Sequence, residues 1–220
     1  MRHIPTYVYK GTDGCYYAVV NSMTNSTYSI IYNVAAFTDA KGTWYEAQSD
    51  EMASRKILTG IAEGTFGGGN AITRAEFAAV IVRALGLPQD TTSSFSDVSG
   101  SSWYNGYVGA AYKTGIITGR SSTVFDPGVK ITREEAMAMI KRAAKLAGYT
   151  GAASKVGTYS DMNEVSSWAS DAVSFNLENG LIVGYGGQIR PNDTITRAET
   201  ATVVLRLLQK DGLVDIRSHV

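Results

Sequence analysis

The same five-residue phrase occurs three times in this chain, as Ile72-Thr73-Arg74-Ala75-Glu76, Ile131-Thr132-Arg133-Glu134-Glu135 and Ile195-Thr196-Arg197-Ala198-Glu199. Each copy is followed by an apolar run at helical spacing. An internal repeat of this kind restricts the fold to stacked or pseudo-symmetric architectures, because one short unit buries too little apolar surface to be stable alone.

The similarity extends well beyond the phrase. Trp44, Trp103 and Trp168 stand at one fixed distance before Ile57-Leu58-Thr59-Gly60, Ile116-Ile117-Thr118-Gly119 and Leu181-Ile182-Val183-Gly184. Each copy opens with an aromatic residue and an Asp two positions on: Phe37 and Asp39, Phe95 and Asp97, Tyr159 and Asp161. Phe66, Phe125 and Ile189 lie six positions before the motif isoleucines. The motif arginines are 59 and then 64 residues apart, a length that fits two helices with loops. The chain therefore divides into 1–36, outside the repeat, and copies at 37–90, 91–151 and 152–220.

Within a copy, the threonine is an N-cap and the glutamate three residues later completes a capping box, so helices are expected to start at Thr73 with Glu76, Thr132 with Glu135, and Thr196 with Glu199. Phe77, Val80, Ile81 and Leu85 mark one buried face, as do Met139, Ile140 and Ala143, and Val203, Val204 and Leu207. Gly86, Gly148 and Gly212 suit the ends of these helices. An earlier helix is expected to run from each Trp, over Trp44 to Lys56, Trp103 to Thr114 and Trp168 to Asn179. In residues 1–36, tyrosines and valines flank Gly11-Thr12-Asp13-Gly14, and Tyr28 to Tyr32 is β-prone, which predicts a hairpin plus a third strand. So small a sheet reads as the tail of an upstream domain or as a flap. The fold class is mainly α: three two-helix repeats around a pseudo-three-fold centre, with a small β segment at the N terminus.

The arginine of the phrase is the chemically informative residue. A cation at the first helical position faces the positive end of the helix macrodipole, at a cost of about 0.3–1 kcal/mol. Repetition of that placement at Arg74, Arg133 and Arg197 points to an anion brought to the helix start, where free amides and a guanidinium fork would converge on it. The bland alternative is a solvated side chain. Trp44, Trp103 and Trp168 read as core or as a flat wall for a sugar ring. Gly60, Gly119 and Gly184 read as turn residues or as points of close ligand approach, and Asp39, Asp97 and Asp161 as caps of the Trp helices or as ligand contacts.

Composition narrows the classes. The 220 residues are 44% hydrophobic and carry 20 basic and 20 acidic side chains, so no bulk field draws the chain to nucleic acid. No run of eighteen apolar residues is present to span a membrane, and Met1 to Pro5 lacks the apolar core of a secretory signal, so any export signal is expected on a longer parent chain. Cys15 is the single cysteine, and the two histidines, His3 and His219, sit near opposite chain ends. Those residues offer no metal cluster and no nucleophile with its base, so neither a cofactor nor catalysis is expected.

The ordered combination of aromatic-x-Asp, Trp, apolar-apolar-x-Gly and Thr-Arg-Ala-Glu resembles three tandem S-layer homology domains over residues 37–214. That resemblance implies a three-pronged, pseudo-trimeric helical spindle outside the cell, at the bacterial cell wall or in its surface layer. It further implies non-covalent anchoring of an exported protein through an anionic secondary wall polysaccharide whose terminal N-acetylmannosamine carries a pyruvate ketal. By the same resemblance, the motif arginines hold the ketal carboxylate in inter-repeat grooves, with the Trp and Gly regions of a neighbouring repeat shaping the sugar pocket. This copy of the pattern departs at Glu134, which adds negative charge beside one groove, and at Gly68, where Pro127 and Pro191 stand in the other copies. Self-assembly into a surface layer without direct glycan binding is the alternative.

Overall fold

The structure, a computed structural model, describes residues 2–22, 27–151 and 159–215. The expected boundary at 151/152 abuts residues outside that set, and His219 lies outside it. The chain begins with an antiparallel hairpin, β1 (Thr6–Lys10) and β2 (Tyr16–Val20). Six α-helices follow among the described residues: α1 (Glu46–Ser54), α2 (Arg74–Ala84), α3 (Asn105–Lys113), α4 (Arg133–Ala147), α5 (Ser170–Glu178) and α6 (Arg197–Lys210).

The longer helices start where the capping boxes require. Thr73 Oγ1 accepts the Glu76 amide at 3.2 Å while Glu76 Oε2 accepts the Thr73 amide at 2.7 Å, and the other two copies repeat the pair. At the far end, Gly148 takes φ = 96°, a left-handed residue that lets α4 stop. The Trp helices start two residues past each Trp and have no side-chain cap.

The three copies meet at a backbone triangle. The Ile72 amide donates to Ile195 O at 3.2 Å, Ile195 to Ile131 O at 3.1 Å, and Ile131 to Ile72 O at 3.1 Å. All three side chains are buried, and α2, α4 and α6 pack pairwise around them. This is the pseudo-three-fold centre that the repeat implies.

The pairing of helices differs from a simple two-helix unit. The Trp helix of each copy packs on the capped helix of the copy before it: α3 on α2, α5 on α4, and α1 on α6. Each prong therefore takes one helix from each of two copies, and the α1–α6 contact closes the ring between the two ends of the chain. One shared core results, running from Phe66 and Ile81 through Phe125 and Ile140 to Val204 and Leu208.

A third strand does not form from Tyr28 to Tyr32. The chain that follows is tied to the end of α1 instead, with Asn33 Nδ2 donating to Ser54 O at 2.7 Å and the Ala35 amide to Ser54 Oγ at 3.2 Å. The chain is thus fixed to α1 rather than added to the two-stranded sheet, and Ile30 and Tyr32 are more than 90% exposed. No described helix is long and apolar enough to cross a membrane.

Candidate functional site

Each capped helix begins inside a collar made by another copy. The Arg74 and Ala75 amides donate to Val129 O and Pro127 O, those of Arg133 and Glu134 to Asp193 O and Pro191 O, and those of Arg197 and Ala198 to Asn70 O and Gly68 O. With the next amide taken by the threonine, the donors that a helix start leaves orphaned are satisfied within the protein. The expectation of free amides awaiting an external anion is thus corrected, because neighbouring loop carbonyls occupy them.

The motif arginines are likewise engaged. Arg74, Arg133 and Arg197 are 4%, 8% and 7% exposed. Their Nε atoms donate to Phe125 O (2.8 Å), Ile189 O (2.7 Å) and Phe66 O (3.0 Å), in each case the carbonyl of the apolar loop residue of another copy. Arg74 Nη1 lies 3.0 Å from Glu135 Oε1, and Arg133 Nη1 pairs in the same way with Glu199. The unfavourable cation at the helix start is therefore balanced from inside the molecule, by the capping glutamate of the following copy. Burial lowers the Arg74 pKa from its ordinary value, opposed by that carboxylate. Arg197 differs. Among the described residues it has no carboxylate within ion-pair distance, and its Nη2 donates to Thr59 O.

The aspartates do not cap the Trp helices. Asp39 accepts the amides of Phe66 (2.7 Å) and Gly67 (2.8 Å), Asp97 those of Phe125 and Asp126, and Asp161 those of Ile189 and Arg190. Each carboxylate thus clamps the loop whose carbonyl receives an arginine. The clamp also holds a positive-φ residue in each loop, at Gly67 (70°), Asp126 (58°) and Arg190 (51°). Those amides keep the Asp39 carboxyl below the usual carboxylate range; for Asp161, burial pushes the other way and the amides prevail.

Gly60, Gly119 and Gly184 are required by packing inside their own copies. A Cβ on Gly184 would lie 2.2 Å from Tyr159 Cε1 and 2.6 Å from Gln188 O, and the other two glycines meet Phe37 and Phe95 in the same way. The tryptophans are not core residues: Trp44, Trp103 and Trp168 are 63%, 57% and 58% exposed. Helical spacing alone could not reveal this, because each Trp precedes its helix rather than sitting on a face of it.

Two clefts bring these positions together. One, of about 430 Å³, joins Arg74 of the first copy, Gly119 and Glu135 of the second, and Trp168 of the third. The other, of about 620 Å³, joins Arg133 of the second copy, Gly184, Thr196 and Glu199 of the third, and Trp44 of the first. Both are the same junction advanced by one repeat, and each needs all three copies. Arg197, Gly60, Trp103, the three aspartates, Thr73, Thr132 and Glu76 line neither. The extra charge at Glu134 does not line them either, since its carboxylate accepts the Ser166 amide at 2.9 Å and hydroxyl at 2.8 Å, holding the turn that leads to Trp168.

The sequence reading missed a further basic position. Arg142 lines the smaller cleft and Arg206 the larger, each nine residues after a motif arginine, and Arg83 is their counterpart in the first copy. The signal was present in the repeat itself, as a further invariant column two and a half turns into the capped helix. Arg120, ion-paired to Asp126 and Glu135, and Tyr185 also face these clefts, one in each, from the position just after the glycine.

A family model described as "S-layer homology domain" matches this chain at residues 36–78, 94–137 and 158–201. Among curated proteins, an amylopullulanase of Thermoanaerobacterium thermosulfurigenes is 32% identical over 96% of this chain and 12% of its own length. The exoglucanase XynX of Acetivibrio thermocellus is 31% identical over 86% of this chain and 18% of its own. The S-layer protein EA1 of Bacillus anthracis is 29% identical over 79% of this chain and 20% of its own. The chain spans a fifth or less of the length of each of these relatives.

Proposed function

The chain belongs to the S-layer homology family, and from that premise we propose that it is a cell-wall anchor, holding an exported protein to the bacterial surface by gripping an anionic, pyruvylated wall polysaccharide in its inter-repeat clefts. A segment shared by proteins named as an amylopullulanase, an exoglucanase and an S-layer protein does not carry the distinct activity of any of them. What they have in common is this segment, and attachment at the surface layer that one of them is named for is an activity such a shared segment can supply.

The observation that carries this reading is the composition of the two clefts. Each sets an exposed Trp from one copy beside a glycine-backed strip of a second and a basic floor contributed by a third. A flat apolar ring next to guanidinium groups suits a sugar that bears a carboxylate. In this arrangement Arg74 and Arg133 hold the floor in place, and the tryptophans form the wall against which the sugar ring lies. Self-association in a surface layer is a second reading, favoured by the S-layer proteins among the relatives.

Wall sacculi test the anchor directly. The chain is expected to sediment with sacculi that retain their secondary polymer and to stay in solution once that polymer is extracted. Sedimentation with extracted sacculi would refute polymer binding, and mass that grows with concentration in the absence of any polymer would favour the assembly reading.

A further inference from the structure

In the two clefts the cations of the repeated phrase, Arg74 and Arg133, are already paired with glutamates, so an incoming acid there needs a different guanidinium. We propose, resting on the glycan-anchoring reading, that Arg142 and Arg206 are the specificity-determining residues that receive the sugar-borne carboxylate, one in each of the two clefts.

Both side chains are half-buried and line their clefts. Arg142 is held by one corner only: its Nη1 donates to Ile116 O at 3.4 Å and to Thr118 Oγ1 at 3.5 Å. Arg206 repeats the arrangement, with Nη1 donating to Leu181 O at 3.3 Å. These bonds are long, and they leave the rest of each planar fork available for bidentate contact with a carboxylate. No carboxylate lies within ion-pair distance of either group among the described residues, whereas Arg74 and Arg133 in the same clefts each have a glutamate. A partly desolvated cation without a counter-ion is costly, and an anionic ligand removes that cost. Consistent with this, burial alone pushes both pKa values below the ordinary arginine value.

The third member of the series is disabled. Arg83 lies over the Tyr107 ring, 4.5 Å from its centroid. The corresponding positions on the other Trp helices are Gln48 and Ala172, which offer no ring to cover Arg206 and Arg142. Among the described residues, the series therefore supplies two carboxylate-reading clefts rather than three.

Calorimetric titration with the pyruvate ketal of N-acetylmannosamine, and with uncharged N-acetylmannosamine as control, tests this. The unmodified chain is expected to bind two equivalents of the ketal, R142Q and R206Q one each, and the double variant none at the same concentration. Arg83→Gln should still bind two. In R142K/R206K the affinity should fall about 10- to 100-fold while a preference for the ketal over the neutral sugar persists. A purely structural role would instead weaken both sugars equally. Should the unmodified chain bind the ketal and R142Q/R206Q bind it with unchanged affinity and stoichiometry, the assignment of these two arginines is overturned while the anchor reading stands. Should the unmodified chain bind neither sugar nor the wall polymer, the anchor reading falls and this one with it.

Discussion

Arg74 Nη1 lies 3.0 Å from Glu135 Oε1, and the other oxygen of that carboxylate accepts the Thr132 amide at 3.0 Å. One glutamate thus caps its own helix and fastens the preceding copy to it. The same double use recurs between Arg133 and Glu199. Arg74→Ala is therefore expected to destabilise the fold by about 1.5–3 kcal/mol, the range for a lost hydrogen bond to a charged group, because Glu135 keeps Arg120 as a counter-ion. Urea denaturation checks this. A loss below about 1 kcal/mol would mean that the pair holds little of the inter-copy contact.

Loss of the hydroxyl cap should be smaller and alike at all three helices. Thr73→Ala, Thr132→Ala and Thr196→Ala each remove the oxygen that accepts an N3 amide, and each should lower stability by about 1 kcal/mol in the same denaturation experiment.

Gly184→Ala is expected to be more damaging than an ordinary surface change. The added methyl meets the Tyr159 ring at 2.2 Å and the Gln188 carbonyl at 2.6 Å, and both must shift. A cost of about 1–3 kcal/mol follows from overpacking of this kind. Thermal unfolding should show it, and an unchanged melting temperature would indicate that the loop yields freely.

Two titrating groups at the chain ends pull stability in opposite directions. His3 is held to about 4 by burial and by the Arg55 charge, below its ordinary 6.5, so the unfolded chain binds more protons between those values. Its contribution is present above about 6.5 and is lost as pH falls through the window to about 4. Asp211 is raised by burial from 3.8 to about 6, so its contribution is present below 3.8 and is lost as pH rises through about 6. Denaturation midpoints measured from pH 4 to 8 should show Asp211→Asn gaining on the unmodified chain as pH rises through about 6. His3→Gln should lessen the loss on acidification.

Much of this architecture was legible because its signals are local. Thr73, Glu76 and Gly86 announce the start and stop of α2 within a few residues. The non-local contacts were not legible. Asp39 acts on amides 27 and 28 residues away, which no capping rule anticipates. An apolar helical face does not say which helix it meets, so the packing of α3 on α2, across a copy boundary, emerged only in three dimensions. Arg74 at its helix start points in sequence to an external anion, whereas the carboxylate it meets is Glu135, brought close by the ring of copies. Arg142 and Arg206 were visible as a repeated column, and they drew no attention because a basic residue in mid-helix violates no local rule.

The most direct test of the anchor compares binding of the chain to purified wall polysaccharide before and after removal of its pyruvate ketals, at several salt concentrations. Charge-assisted recognition predicts binding that weakens as salt rises and that fails on the stripped polymer. Equal affinity for intact and stripped polymer, insensitive to salt, would contradict it.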